Sequence, residues 1–485
     1  MACLGCGNND NKKKKSWSIL VKPTHDCNFD CKYCYDKPLR DKYKGKKMSM
    51  ELLKEILDKV SSYTDEIQWI WHGGEPTLMG IEWYKEAQEL MYSYRDKLKI
   101  NQSMQSNGFL LNKEWAELAE DYDINIGMSF DATEQDIRCA NTESKLVKTL
   151  KMFTEEGPGI GTITVINKNN VKKQIETYEY LKKLGISPSF NHIFSSNGSK
   201  KFDLEVETDI YANESEKLFR HILYDKDDNA KIERTTNLMF NQVVGNRHLV
   251  CTYTDCRKSW ISVNCVGDVY PCDRHIPERY YIGKIQDFET IDDIYNSKGH
   301  KLYSMEIQQR LMTHCKKCGF LEYCQGGCNA NHITSSKSGT GKDIDEFSCE
   351  LFKKEFSSMY KILRDVNFYE NKLSIPFTKK MIDEPVITVN EIKEFLTSKG
   401  LNNELEYIPE GKELLSCSEF KMFRIFNPLM VGNCEHINIT KYKMKINIDI
   451  SKNNDLSSLK EERLKYMNYI FNENINKILS ILKNN

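Results

Sequence analysis

Two rhythms of apolar positions alternate over the first half of the chain. Short strand-type runs recur at Trp17–Lys22, Ile67–Trp71, Ile100–Ser106, Ile124–Phe130, Gly161–Ile166 and Ser187–Phe194. Between them the apolar residues return every three or four positions, the period of a helix with one buried face. After Ser49, a good N-cap, the residues Leu52, Leu53, Ile56, Leu57 and Val60 share one such face. Further helices are expected over Ile81–Leu98, Asn112–Asp121, Glu143–Glu156, Asn170–Leu184 and Asp209–Tyr224. Six strand–helix units joined by short links predict an α/β fold with a parallel sheet and right-handed crossovers. Six units are too few to close an eight-stranded barrel, so an open, partial (β/α)6 barrel is expected. In such folds the working residues gather on loops after the strands.

The alternation stops near Asn229. Beyond it the composition changes, because nine of the 17 cysteines fall between Cys251 and Cys349. The expected division is a flexible tail at 1–16, an α/β core at 17–235, a cysteine-rich domain at 236–365 and a small α/β extension at 366–485. Trp260–Val266 reads as a hairpin strand carrying Cys265, which is either buried or a ligand. In the extension, Asn390–Lys399 and Leu459–Leu482 read as helices and Tyr442–Ile450 as an alternating strand. Only 16 residues precede the first strand, so no winged-helix recognition domain is expected before it. Cys3 and Cys6 in the tail, and Cys417 and Cys434 in the extension, carry no clear chemistry.

Charge narrows the partners. Lys and Arg number 69 against 70 Asp and Glu, so no net field recruits nucleic acid or an anionic membrane. The run Lys12–Lys15 reads as a solvated tail. No apolar run is long enough for a bilayer span and no signal peptide is evident, which makes a cytoplasmic location the expectation. Seventeen cysteines in a reducing compartment point to metal or redox chemistry rather than disulfides.

Three of those cysteines, Cys27, Cys31 and Cys34, stand in C-N-F-D-C-K-Y-C. Three thiolates with no fourth nearby suit a [4Fe–4S] cluster that keeps one iron free of protein ligands. A zinc knuckle is the alternative, although zinc usually takes four protein ligands in such sites. The pattern resembles the signature of the radical SAM enzymes, with Tyr33 in the aromatic slot. The resemblance implies that S-adenosylmethionine binds the free iron and is cleaved reductively to a radical that abstracts hydrogen from substrate. Gly73-Gly74-Glu75-Pro76, after the second strand, matches that family's motif for the methionine amino group. At the next strand ends the resemblance gives Ser106, Asn107 and Arg138 to the carboxylate and Ser129 and Asp131 to the ribose, with Val165 beside adenine. Relatives carry glycine after the aspartate, where this chain has Ala132.

The later cysteines form C-x15-G-x4-C over Cys251, Gly267 and Cys272, then C-x2-C-x5-C-x3-C over Cys315, Cys318, Cys324 and Cys328, then Cys349. This resembles the SPASM domain of peptide and protein maturases, which holds two auxiliary [4Fe–4S] clusters. The resemblance gives Cys251, Cys256, Cys272 and Cys328 to one, and Cys315, Cys318, Cys324 and Cys349 to the other. With the first motif this makes three clusters. In the sulfatase-maturing branch an aspartate at the place of Asp273 is a general base. The function expected is therefore modification of a ribosomally made precursor peptide, forming a thioether or carbon–carbon crosslink, with a flavodoxin or ferredoxin as reducing partner. The alternatives are a sulfatase maturase forming formylglycine from Cys or Ser, and a non-catalytic iron–sulfur or zinc scaffold. The extension is expected to capture the peptide, cap the core or form a dimer contact.

Overall fold

The computed structural model describes residues 17–193, 203–223, 233–243, 251–274, 278–335, 338–365, 387–388 and 414–415. The expected tail, and the extension apart from one two-residue antiparallel pairing of Ile387–Thr388 with Leu414–Leu415, lie outside the described residues. The chain forms two compact units. The first takes Met1–Ser129, Ser144–Ile160 and Cys256–Ser304; the second takes Phe130–Glu143, Gly161–Asp255 and Met305–Asn485.

The alternation expected from the sequence is present. The strands are β1 (Trp17–Val21), β2 (Glu66–Trp71), β3 (Lys99–Ser106), β4 (Ile124–Ser129), β5 (Gly161–Ile166) and β6 (Pro188–His192). In the first unit β1 through β4 pair in parallel, so their C-terminal ends share one edge of the sheet. The helix Met50–Tyr63 starts as the sequence predicts, with Ser49 Oγ accepting from Leu52 N–H. Its five apolar residues are all buried against the sheet. At the usual transfer energy they contribute about 10 kcal/mol before chain entropy is counted.

Three elements differ from expectation. The helix from Ile81 stops at Tyr92, because Tyr94, Arg95 and Lys97 turn their N–H groups to carbonyls three residues back, and Tyr94 Oη is held by Asp58 Oδ1 at 2.6 Å. The helix expected from Asn170 opens as a tight turn over Val171–Lys173 and becomes regular only from Gln174. The hairpin strand β7 (Trp260–Val263) ends before Cys265, which is packed in the hydrophobic core of the first unit. β7 pairs in parallel with β1, and β8 (Asp268–Tyr270) and β9 (Gly283–Lys284) follow antiparallel. The sheet of the first unit thus runs β4-β3-β2-β1-β7-β8-β9.

The second unit pairs β5 with β6 in parallel. Its core gathers Tyr178, Phe190, Leu218, Phe219, Tyr253, Phe352 and Phe356. The helices Thr208–Leu223 and Glu346–Asp365 pack together, and Ser358 Oγ donates to Glu216 Oε2 at 2.7 Å. No described helix is long and apolar enough to cross a membrane.

Candidate active site

The loop leaving β1 carries Cys27, Cys31 and Cys34, all half-buried. Cys34 N–H bonds the Cys31 carbonyl at 3.1 Å, closing a turn with Tyr33 inside it. The Cys27 sulfur receives the Phe29 N–H at 3.4 Å and lies 3.9 Å from Asn107 Nδ2. Burial pushes the Cys27 thiol up to about 12, and Glu75 and Cys31 add to the rise. Such a sulfur is a thiolate at neutral pH only beside a cation, as a ligated iron would be. Among the described residues no three His, Cys, Asp or Glu have the arrangement of ligands to a single ion. A four-iron cluster takes each thiolate at a different iron, so three thiolates on one loop would leave its fourth iron without a protein ligand.

The glycines of Gly73-Gly74-Glu75-Pro76 are required by contact as well as by conformation. A Cβ on Gly73, whose φ is +131°, would meet the Thr24 carbonyl at 2.2 Å. A Cβ on Gly74 would meet the carbonyls of His25 and Asp26 at 2.2 and 2.3 Å. Without side chains, Gly74 N–H bonds Thr24 O at 3.1 Å and Glu75 N–H bonds Asp26 O at 2.8 Å. The motif is thereby pressed against the backbone that leads into Cys27. Pro76 follows, buried, at the start of a single turn.

Glu75 is almost fully buried and works as a clasp. Its Oε1 accepts from Thr77 N–H, Thr77 Oγ1 and Ser106 Oγ, and its Oε2 from Asn107 N–H. Burial raises its pKa, and these donors oppose the rise. The carboxylate thus joins the ends of β2 and β3. Ser106 Oγ also accepts from Gly108 N–H at 3.0 Å, and Asn107 Nδ2 donates to Asn28 Oδ1 at 2.7 Å. Ser129 Oγ, at the end of β4, accepts from Gln105 Nε2 at 2.8 Å.

Asp273 follows Cys272 beyond β8. Tyr35 Oη donates to its Oδ2 at 2.6 Å, and the Cys272 sulfur lies 3.6 Å from its Oδ1. Enclosure would raise this carboxyl, but Lys22 first and His72 next hold it below the ordinary carboxylate range. Tyr35 is held protonated by burial and by Asp273 itself, so it remains a donor. The result is an ionised carboxylate with one oxygen pinned by Tyr35.

In the second unit, Asp131 Oδ1 accepts the Val165 N–H at 2.9 Å. Arg138 is buried at the end of the turn Ala132–Ile137. Ala132 adopts φ +48°, in the left-handed region that glycine enters without strain. Phe190 belongs to the core of this unit.

Of the later cysteines, Cys256 and Cys272 belong to the first unit and Cys251, Cys315, Cys318, Cys324, Cys328 and Cys349 to the second. Burial is the main cause that raises the Cys324 thiol, and Cys318, Cys315 and Cys349 each add to it. Burial likewise raises Cys315, with Cys349 and Cys318 adding to it, and raises Cys349, with Cys318 and Asp345 adding to it. These four thiols therefore form one neighbourhood, as a shared cluster requires. Cys328 is buried just before the helix Asn329–Ser335, and Cys251 is exposed.

Comparison with known proteins agrees with this geometry. The radical SAM superfamily matches residues 21–195, and the iron–sulfur cluster-binding domain called SPASM matches residues 251–319. The chain is a radical SAM enzyme with a SPASM domain. Its cofactors are S-adenosylmethionine and [4Fe–4S] clusters, three being typical of this domain pair. It is similar to the cysteine-type anaerobic sulfatase-maturating enzyme of Clostridium novyi (26% identical, covering 70% of this chain and 95% of the relative). It is also similar to the serine-type enzyme of Bacteroides thetaiotaomicron (26% identical, covering 66% and 84%). Among solved structures, native anSMEcpe with bound AdoMet and Cp18Cys peptide superposes with a TM-score of 0.63 at 24% identity, over 73% of this chain and 99% of that one.

A set of polar residues around Asp273 in this radical SAM enzyme lies outside the motifs legible in the sequence. Lys22, almost fully buried, donates to Asp36 Oδ1 at 2.7 Å and to the Asp273 carbonyl at 2.9 Å. Burial works to lower its pKa, but Asp36 and Asp273 together hold it raised. His25 Nδ1 is 2.8 Å from Asp36 Oδ2, and its ring stacks on Tyr43 at 4.9 Å. The Tyr35 and His72 rings lie 6.3 Å apart. The available signal was local: an unpaired lysine at the end of an otherwise apolar strand needs a buried partner, and Asp36 is the acid nearest after the cysteine loop.

Proposed function

We propose that this chain is a maturase that abstracts hydrogen from a peptide side chain or backbone and so forms a thioether or carbon–carbon crosslink. The observation that carries the reading is the packing of Gly73-Gly74 and Asn107 onto the Cys27 loop, which brings together the parts a radical SAM site needs. Bound there, the cofactor pair supplies the 5′-deoxyadenosyl radical that takes the hydrogen atom. Cys27, Cys31 and Cys34 hold the cluster of this site. Asn107 and Ser106 position the methionine end, and Glu75 fixes both by its hydrogen bonds. Asp273 receives the proton that the peptide releases as it is oxidised, with Tyr35 orienting the carboxylate. Cys315, Cys318, Cys324 and Cys349 would hold an auxiliary cluster, which would take up the one electron that leaves the peptide radical with that proton. A small one-electron carrier protein of the flavodoxin or ferredoxin kind supplies electrons.

Two facts bear on the product. The alignment with the Clostridium novyi enzyme covers 95% of that protein but only 70% of this one, which favours a substrate demand of its own. A second reading, oxidation of a single Cys or Ser to formylglycine, is favoured by the oriented Asp273 and by the activities named for the relatives. The test is mass spectrometry of a precursor peptide after anaerobic reaction with the reconstituted chain. A crosslink loses two hydrogens and gives no reaction with a hydrazide; formylglycine gives an aldehyde that a hydrazide captures. Failure of the reduced chain to cleave S-adenosylmethionine overturns both readings and leaves an iron–sulfur scaffold.

A further inference from the structure

The segment that starts within the cysteine loop, at Lys32, is strongly basic in a chain that is otherwise balanced. From Lys32 to Lys47, seven of sixteen residues are Lys or Arg, against Asp36 and Asp41. Asp36 is buried and already paired with Lys22, so it does nothing to neutralise the surface. Lys32, Lys37, Lys42, Lys44, Lys46 and Lys47 are exposed. Lys37 pairs with Asp30 and Lys42 with Glu278, while Lys47 Nζ reaches the Leu78 carbonyl at 3.3 Å. Among the described residues, Lys32, Lys44, Lys46 and Lys47 have no carboxylate partner. Arg40, in the same stretch, donates from Nη2 to the Cys27 carbonyl at 3.3 Å. The positive surface thus begins inside the cysteine loop, includes Cys34, and reaches back to Cys27 through Arg40.

We infer that this surface, residues 32–47, docks an acidic one-electron carrier protein that reduces the cluster held by Cys27, Cys31 and Cys34. The inference rests on the radical SAM reading, which requires one electron for each cleavage. In the docked pair one electron leaves the reduced carrier, which is oxidised by one unit, and enters the cluster. No bond or proton moves in that step. Unpaired lysines on a surface steer an acidic partner and raise the association rate, an effect that salt screens. An uncharged small reductant is not steered, which separates docking from the chemistry of the cluster.

The test uses the full, cluster-loaded chain under anaerobic conditions and follows bleaching of the cluster absorbance. One reductant is a photoreduced acidic flavodoxin; the other is photoreduced deazariboflavin. The expected result is that Lys44→Glu/Lys46→Glu slows reduction by the flavodoxin about tenfold at low salt, with deazariboflavin rates unchanged. Lys44→Gln/Lys46→Gln should fall between. With the unaltered chain, raising the salt should slow the flavodoxin reaction alone. A flat salt dependence of the unaltered chain overturns the inference, whatever the variants do. So does a flavodoxin rate equal in chain and variant, including the case in which the variant instead loses affinity for the precursor peptide. Deazariboflavin-driven cleavage of S-adenosylmethionine reports separately on the radical SAM reading.

Discussion

The Glu75 carboxylate receives the backbone N–H of Asn107 at 2.7 Å, and the side chain of that asparagine stands 3.9 Å from the Cys27 sulfur. One buried acid therefore sets the distance between the end of β3 and the cysteine loop. Glu75→Gln keeps the shape but turns an amide N–H₂ toward groups that are themselves donors. The expected loss is about 2 kcal/mol of stability, read as a lower thermal transition, together with weaker S-adenosylmethionine binding by equilibrium dialysis. Unchanged values for both would show that the clasp is dispensable.

Gly74→Ala places a methyl group against two backbone carbonyls that no rotamer change can move. The cysteine loop and the glycine turn must then separate. A destabilisation of about 2–3 kcal/mol is expected, with iron content falling because Cys27 shifts relative to Cys31. Calorimetry and iron analysis of the reconstituted variant check both.

Asp273→Asn should leave reductive cleavage of S-adenosylmethionine intact and reduce peptide modification by about a hundredfold or more. Tyr35→Phe removes one hydrogen bond to the carboxylate and should cost about tenfold in modification. Both are read by quantifying 5′-deoxyadenosine against modified peptide. Full product formation by the asparagine variant would remove Asp273 from the mechanism.

Cys315→Ala and Cys349→Ala should each lower iron by about four atoms per chain, since the two thiols belong to one neighbourhood. Cys265→Ala should leave iron content unchanged, because that thiol lies in the hydrophobic core. Parallel iron and sulfide assays on the three variants decide the assignment.

Glu355 gives a prediction for pH. Burial pushes its carboxyl up to about 8, Ser215 opposes that, and Glu233 adds to it. The folded chain thus keeps a proton that the unfolded chain releases at lower pH. Stability from this group is present in acid and declines as pH rises toward 8. Glu355→Gln should flatten the decline, giving a higher transition temperature than the unaltered chain at about pH 8.5 and a similar one at about pH 4, in matched thermal scans.

The sequence by itself determined the order of strands and helices, the cap at Ser49 and the two families of cysteines. Those features are local: one buried face repeats at the period of its backbone, and ligand spacing is written in consecutive residues. Tertiary structure decided what each polar group meets. Lys22 reaches the Asp273 carbonyl across 251 positions and Tyr35 reaches its carboxylate across 238. Neither pairing has a signature in periodicity, because both depend on β7 lying beside β1. Glu75 is similar: its motif suggests an open acceptor, and only the fold shows four donors gathered on it. A buried charge must be satisfied by whatever the packed chain brings within reach, and that is settled by the assembled sheet rather than by any stretch of it.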